Sequence, residues 1–166
     1  MAVSAVNQTA KQQVEQIIAL LHQRNETIAV AESLTAGGLA NALTGASGSS
    51  SVFLGGLIAY RNQIKISMLG VDPKLIDENT VVSEAVAIAM ADGVKRNFGS
   101  TWAIATTGVA GPEPLEGHPP GTVWVAISGP INQTIALELE GDREQVRSGT
   151  ISTAIGTFTR ILKSRS

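Results

Sequence analysis

Residues 27–44 read TIAVAESLTAGGLANALT, and this stretch decides the fold class. TIAVA, residues 27–31, is apolar and partly β-branched and reads as a short buried strand. The chain then turns at Glu32 and Ser33 and enters a predicted helix over 36–44. A buried strand feeding a turn and then a helix opens an α/β layer. Upstream, Val14, Ile17, Ile18 and Leu21 recur at helical spacing and predict a helix over 9–24.

Downstream, 45–51 reads as a loop and VFLGGLIAY, 52–60, as a strand with a glycine bend. A helical turn then carries Lys65, and 70–82, with Pro73, reads as a loop. Ser83 is an N-cap for a helix over 84–97. TWAIAT, 101–106, reads as a buried strand, and 111–120 holds four prolines and two glycines, a loop composition. Strands over 122–128 and 133–140 join through GPIN, a hairpin connection, and a helix spans 142–163. The pattern predicts one domain of α/β class, layered α/β/α, with a mixed sheet.

Composition bounds the function. The chain has 166 residues, enough for one core. Its 43% hydrophobic and 16% charged content describes a globular chain. A net charge of −2 gives no electrostatic footprint for nucleic acid. Cysteine is absent, which excludes disulfides and thiolate metal sites. No apolar run approaches the roughly 20 residues of a membrane helix, and the N-terminus lacks a signal-peptide pattern. A cytoplasmic protein with no membrane or nucleic-acid partner is expected.

Four clusters carry chemistry. Ser33 and Thr35 stand where a strand meets a helix; they either cap that helix or, with Gly37 and Gly38 allowing close approach, help its free N–H groups receive an anion. The segment has no Gly-Lys-Ser/Thr and is not a Walker loop. Ser49, Ser50 and Ser51 follow Gly48; they form an ordinary turn or, if the next strand and helical turn return Tyr60 and Lys65 beside them, a nucleophile with a base. TTGVAGP, 106–112, offers backbone N–H groups from Thr107 through Gly108 to Ala110, either an anion-binding nest or a tight strand exit. Arg143 and Arg147, four apart on one helix, either reach an anionic group or form a solvated face. His22 and His118 have no partners at ligand spacing, so no metal site is expected.

Seven motifs in register carry a resemblance. AESLTAGG, GSSSVFLGGLIAYRNQIK, LGV, TVVSEAVA, TTGVAGP, GTVWVAI and GDREQVR resemble, in this order, the C-terminal domain of the competence/damage-inducible CinA family. The resemblance spans about residues 10–163 and extends to the stand-alone PncC-type nicotinamide-nucleotide amidohydrolases. It implies a serine amidohydrolase that converts nicotinamide mononucleotide to nicotinate mononucleotide and ammonia. By the same resemblance Ser50 is the nucleophile, and Tyr60 and Lys65 are its base and proton relay. Ser33, Thr35, Gly37, Ser49, Thr107, Gly108 and Arg147 hold the substrate, with its phosphate on the helix start after Ser33. No cofactor or metal is implied. Two departures stand out. Ala36 occupies a position where the family usually has glycine, and EPLEGHPP replaces a common Asp-Gly-Gly run. The alternatives are a nucleotide-binding or regulatory module without turnover, and an amidase for another small carboxamide. Small α/β domains with apolar helices often pair, so a homo-oligomer, most simply a dimer, is expected.

Overall fold

The structure, a computed structural model, describes residues 2–165, with side chains from Thr9 onward. Its helices are α1 (Ala2–Arg24), α2 (Gly38–Thr44), α3 (Asn62–Leu69), α4 (Pro73–Asn79), α5 (Glu84–Phe98) and α6 (Arg143–Ser164). Its strands are β1 (Ile28–Glu32), β2 (Phe53–Ile58), β3 (Trp102–Gly108), β4 (Thr122–Ser128) and β5 (Gln133–Glu138). They form one sheet in the order β2-β1-β3-β4-β5. β1 runs parallel to β2 and β3, and β4 and β5 add antiparallel pairs. This is the expected layered α/β arrangement with a mixed sheet.

β1 is buried on both faces, and its alternation sorts the two layers. Ile28 and Val30 face a core shared with α1, α2 and α6. Ala29 and Ala31 face a core shared with α4 and α5. The second face is built from small residues: Ala103 and Ala105 of β3 lie beside Ala29 and Ala31. That lets α5 sit close to the sheet. α3 in turn sits close to α5 at Gly93, where a Cβ would lie 2.0 Å from Leu69 O. Glycine is required there to admit the α3 backbone.

Two expectations change. The predicted loop over 70–82 contains α4. Asp72 caps it by accepting from Lys74 N–H at 2.9 Å, and Pro73 is its first residue. Proline is favoured at that position, because its missing N–H belongs to a group with no helical partner anyway. The predicted loop over 45–51 ends in a short 3-10 turn, Ser49–Ser51. No helix among the described residues is long and apolar enough to cross a membrane.

Topology places the site. The connection from β1 to β2 runs through α2 on one face; that from β2 to β3 runs through α3, α4 and α5 on the other. β1 therefore has its two neighbours reached by opposite routes, and its carboxyl end is a topological switch point. Ser33 is the first residue beyond that end.

Candidate active site

Glu32 ends β1 and is 1% exposed. Its Oε2 accepts from the N–H groups of Gly37 and Leu39 at 3.1 and 3.0 Å, and its Oε1 from Ala40 N–H at 2.8 Å. The start of α2 is thus filled by the protein's own carboxylate. The expectation that a substrate phosphate rests there is corrected, because those donors are already taken. Thr35 is buried beneath the turn with its hydroxyl 2.8 Å from that of Thr106. It holds the turn to β3. Gly37 takes φ +93°, a left-handed conformation that glycine adopts without strain.

Ser33 points to the other side of the sheet, as the alternation after Ala31 requires. There Lys65, 1% exposed on α3, donates from Nζ to Ser33 Oγ at 3.0 Å. The same Nζ donates to Ala59 O at 2.8 Å and Tyr60 O at 3.2 Å. Burial lowers the Lys65 pKa from 10.5 to about 8, and the nearby Glu116 carboxylate partly offsets the fall. Glu116 is anchored from the Pro-rich loop by accepting from Val81 N–H at 2.7 Å. Beside it His118 Nε2 lies 2.8 Å from Thr80 Oγ1.

Tyr60 is exposed at the mouth of the site, and its hydroxyl accepts from Arg143 at 2.9 Å. Arg143 also donates to Gly111 O at 2.8 Å. Ser33, Leu34, Tyr60, Arg143 and the segment 108–115 line a cleft of about 410 Å³. Gly108 belongs to this lining; a Cβ there would lie 2.7 Å from Thr122 O. Thr107 sits next to it but turns its hydroxyl to Val81 O at 2.9 Å, and it is 1% exposed.

Ser50 and Ser49 lie elsewhere. They precede β2, whereas Tyr60 and Lys65 follow it. β2 has six residues, so at about 3.3 Å each its ends lie about 20 Å apart. The strand and helical turn therefore carry Tyr60 and Lys65 away from the serine loop, not back to it. Because β1 and β2 are parallel, their carboxyl ends share one edge of the sheet. The serine that meets Tyr60 and Lys65 is Ser33. Ser50 is exposed, and Ser49 donates to Thr44 O at 3.2 Å. Arg147 is not on the cleft lining; one of its terminal nitrogens donates to Thr35 O at 3.2 Å, and its Nε is buried with no hydrogen-bond partner among the described residues.

Sequence reading missed Leu34 and Glu116 as parts of the site. Leu34 follows Ser33 directly, and its amide makes no hydrogen bond within the described residues. Glu116 lies on a loop whose path no periodicity predicts. Among the described residues no group of three or more His, Asp or Glu is arranged to hold a metal.

Known proteins share this architecture. A model of the CinA C-terminal domain matches residues 10–162. A CinA-like protein of Synechocystis sp. is 49% identical over 151 residues, covering 88% of this chain and 36% of its own length. A CinA-like protein of Frankia casuarinae is 43% identical over 147 residues, covering 88% of this chain and 34% of its own length. The chain thus spans about a third of these relatives. Among solved structures, the competence/damage inducible protein CihA of Agrobacterium tumefaciens superposes with a TM-score of 0.88 at 29% identity, over 93% of this chain and 95% of that one. A CinA superfamily protein of Klebsiella pneumoniae gives a TM-score of 0.89 at 29% identity, over 93% and 98%. The chain belongs to the CinA C-terminal domain family.

Proposed function

We propose that this protein is a serine amidohydrolase whose nucleophile is Ser33 and whose base is Lys65, acting on the carboxamide of nicotinamide mononucleotide. The observation that carries the reading is the set of partners around Lys65 Nζ: one hydroxyl and two carbonyls. A neutral amine has two N–H donors and one lone pair. Carbonyl oxygens only accept, so Ala59 O and Tyr60 O suit the two N–H groups. The lone pair then faces the one partner with a proton to give, the Ser33 hydroxyl. A pKa of about 8 makes the neutral form accessible near neutral pH.

The chemistry follows from that arrangement. Lys65 takes the Ser33 proton as Oγ attacks the carboxamide carbon. The oxyanion of the tetrahedral intermediate needs donors, and the free Leu34 amide on the cleft lining is a candidate. Collapse breaks the C–N bond, and the Lys65 ammonium gives the departing nitrogen the proton taken from Ser33, which returns Lys65 to its neutral form. Ammonia leaves an acyl-Ser33 ester. Water attacks the ester and gives a proton to Lys65; Lys65 returns it to Ser33 Oγ as the C–O bond breaks, and the released acid loses its own proton to solvent to leave as the carboxylate. The substrate assignment rests on the family resemblance, and a cleft of about 410 Å³ suits a small molecule.

The same three acceptors also suit a charged ammonium, which leaves Ser33 without a base. That favours a binding module as the second reading. Ammonia release from nicotinamide mononucleotide by the purified chain, beside Ser33→Ala, separates the two. Turnover that disappears in the variant supports the hydrolase. Binding without turnover in the unaltered chain moves the assignment to the module.

A further inference from the structure

Arg143 has a chemistry that amide cleavage does not use. It is the first residue of α6, and its guanidinium spans the mouth of the cleft. One terminal nitrogen donates to Tyr60 OH at 2.9 Å, the other to Gly111 O at 2.8 Å. Tyr60 follows β2 and Gly111 follows β3, so the side chain ties two walls of the cleft. Both acceptors are neutral. No carboxylate lies within ion-pair distance of it among the described residues. Its neighbour Asp142 is engaged in capping α6 through Gln145 N–H at 2.9 Å. Glu113, the carboxylate on the same lining, makes no ion pair with it.

Arg143 is therefore a charged, oriented fork with no ion-pair partner among the described residues, on the rim of a cleft whose described lining holds one carboxylate, Glu113, and no other cationic side chain. Lys65 is behind Ser33 and committed to it. The geometry points to Arg143 as the specificity residue for an anionic tail on the substrate, a phosphomonoester in particular, which takes the guanidinium in place of Tyr60 OH or Gly111 O. A guanidinium presents paired N–H donors that match two phosphate oxygens, and a charged acceptor outcompetes a neutral one. This assignment rests on the cleft being the mononucleotide site proposed above, whether or not the bound amide is cleaved there. It adds which end of the substrate is read, and by which residue.

The test is calorimetric binding of nicotinamide mononucleotide and nicotinamide riboside, which differ by the phosphate. Both are titrated into Ser33→Ala, so that no turnover intervenes, and into the same protein carrying Arg143→Gln or Arg143→Lys. Hydrogen bonds to charged groups predict that Arg143→Gln cuts the preference for the mononucleotide about 10- to 100-fold. Arg143→Lys keeps the charge and retains more of the preference than Gln. Glu113→Gln removes a like charge and raises the preference. Equal loss for both ligands in Arg143→Gln would reduce Arg143 to a tie between Tyr60 and Gly111 and overturn the assignment. So would an unchanged preference, or failure of both probes to bind. A preference that depends on Arg143 in a chain that releases no ammonia sinks the hydrolase reading and leaves this one standing.

Discussion

Ser33 and Ser50 sit in turns of similar composition at opposite ends of the same sheet, and they differ in burial and in what lies beside the hydroxyl. Ser33 is 8% exposed, holds a buried amine at 3.0 Å and opens on a cleft. Ser50 is exposed on a 3-10 turn between two serines; Ser51 donates to Gly48 O at 2.8 Å and Ser49 to Thr44 O. A hydroxyl in water has no base and no lowered barrier to losing its proton. Buried beside a desolvated amine, the same group has both. What separates the two is strand direction: parallel β1 and β2 put Ser33, Tyr60 and Lys65 at one edge and leave Ser50 at the other.

The sharpest way to break this comparison is to remove each hydroxyl in turn. Ser33→Ala should cut ammonia release at least about a thousandfold, as loss of a nucleophile does elsewhere. Ser50→Ala should stay within a factor of about two, because exposed polar side chains outside a site rarely matter. The reverse result would return the nucleophile to Ser50.

A second test strikes the packing that delivers Lys65. In Gly93→Ala the new Cβ lies 2.0 Å from Leu69 O, so α3 must move off α5. Overpacking of this kind costs about 1–3 kcal/mol. The urea midpoint should fall, and kcat should drop even at temperatures where the protein remains folded. A variant that lost stability but kept full kcat would show that Lys65 placement tolerates the shift.

The third test is a pH profile. If the neutral amine of Lys65 is the base, activity rises with pH through about 8 and then levels. Desolvation pushes that pKa down and Glu116 pulls it back up. Glu116→Gln removes the anion while its amide oxygen still accepts from Val81 N–H. The ammonium loses support, the pKa falls, and the rise moves to lower pH. A profile that shifts upward or not at all would remove Glu116 from the electrostatics of the site.

The smallest effect concerns the turn itself. Ala36 takes φ +48°, the left-handed region in which a Cβ is strained. Ala36→Gly relieves that strain but gains unfolded-chain entropy, so the net stabilisation should be about half a kcal/mol. Denaturant unfolding would read it as a higher midpoint at unchanged slope. Loss of stability would mean that the alanine methyl packs more than the strain costs.

Much of the architecture was legible in the chain. The run TIAVA, the helical spacing of Val14, Ile17, Ile18 and Leu21, and the hairpin around GPIN each signal a local structure through side-chain period and turn chemistry. α4 was hidden because Asp72 and Pro73 suit a helix start as well as a loop. Within the site, the residue types were legible and their pairing was not. Lys65 stands out as a candidate base, but the serine it meets is 32 residues upstream, a contact that no local pattern announces. Glu32 read as part of a turn because nothing local says that its carboxylate folds back on α2.

The sequence by itself determined the α/β class, the glycine-rich turns and the absence of thiol chemistry. Those follow from composition and from periods of two and 3.6 residues, which act over one element at a time. Only the tertiary structure decided which serine meets Lys65, which arginine stands at the cleft, and that Glu32 rather than a ligand fills the start of α2. These are contacts between elements far apart in the chain. They depend on strand order and direction, which arise when buried faces of several elements are satisfied together and which no local pattern encodes.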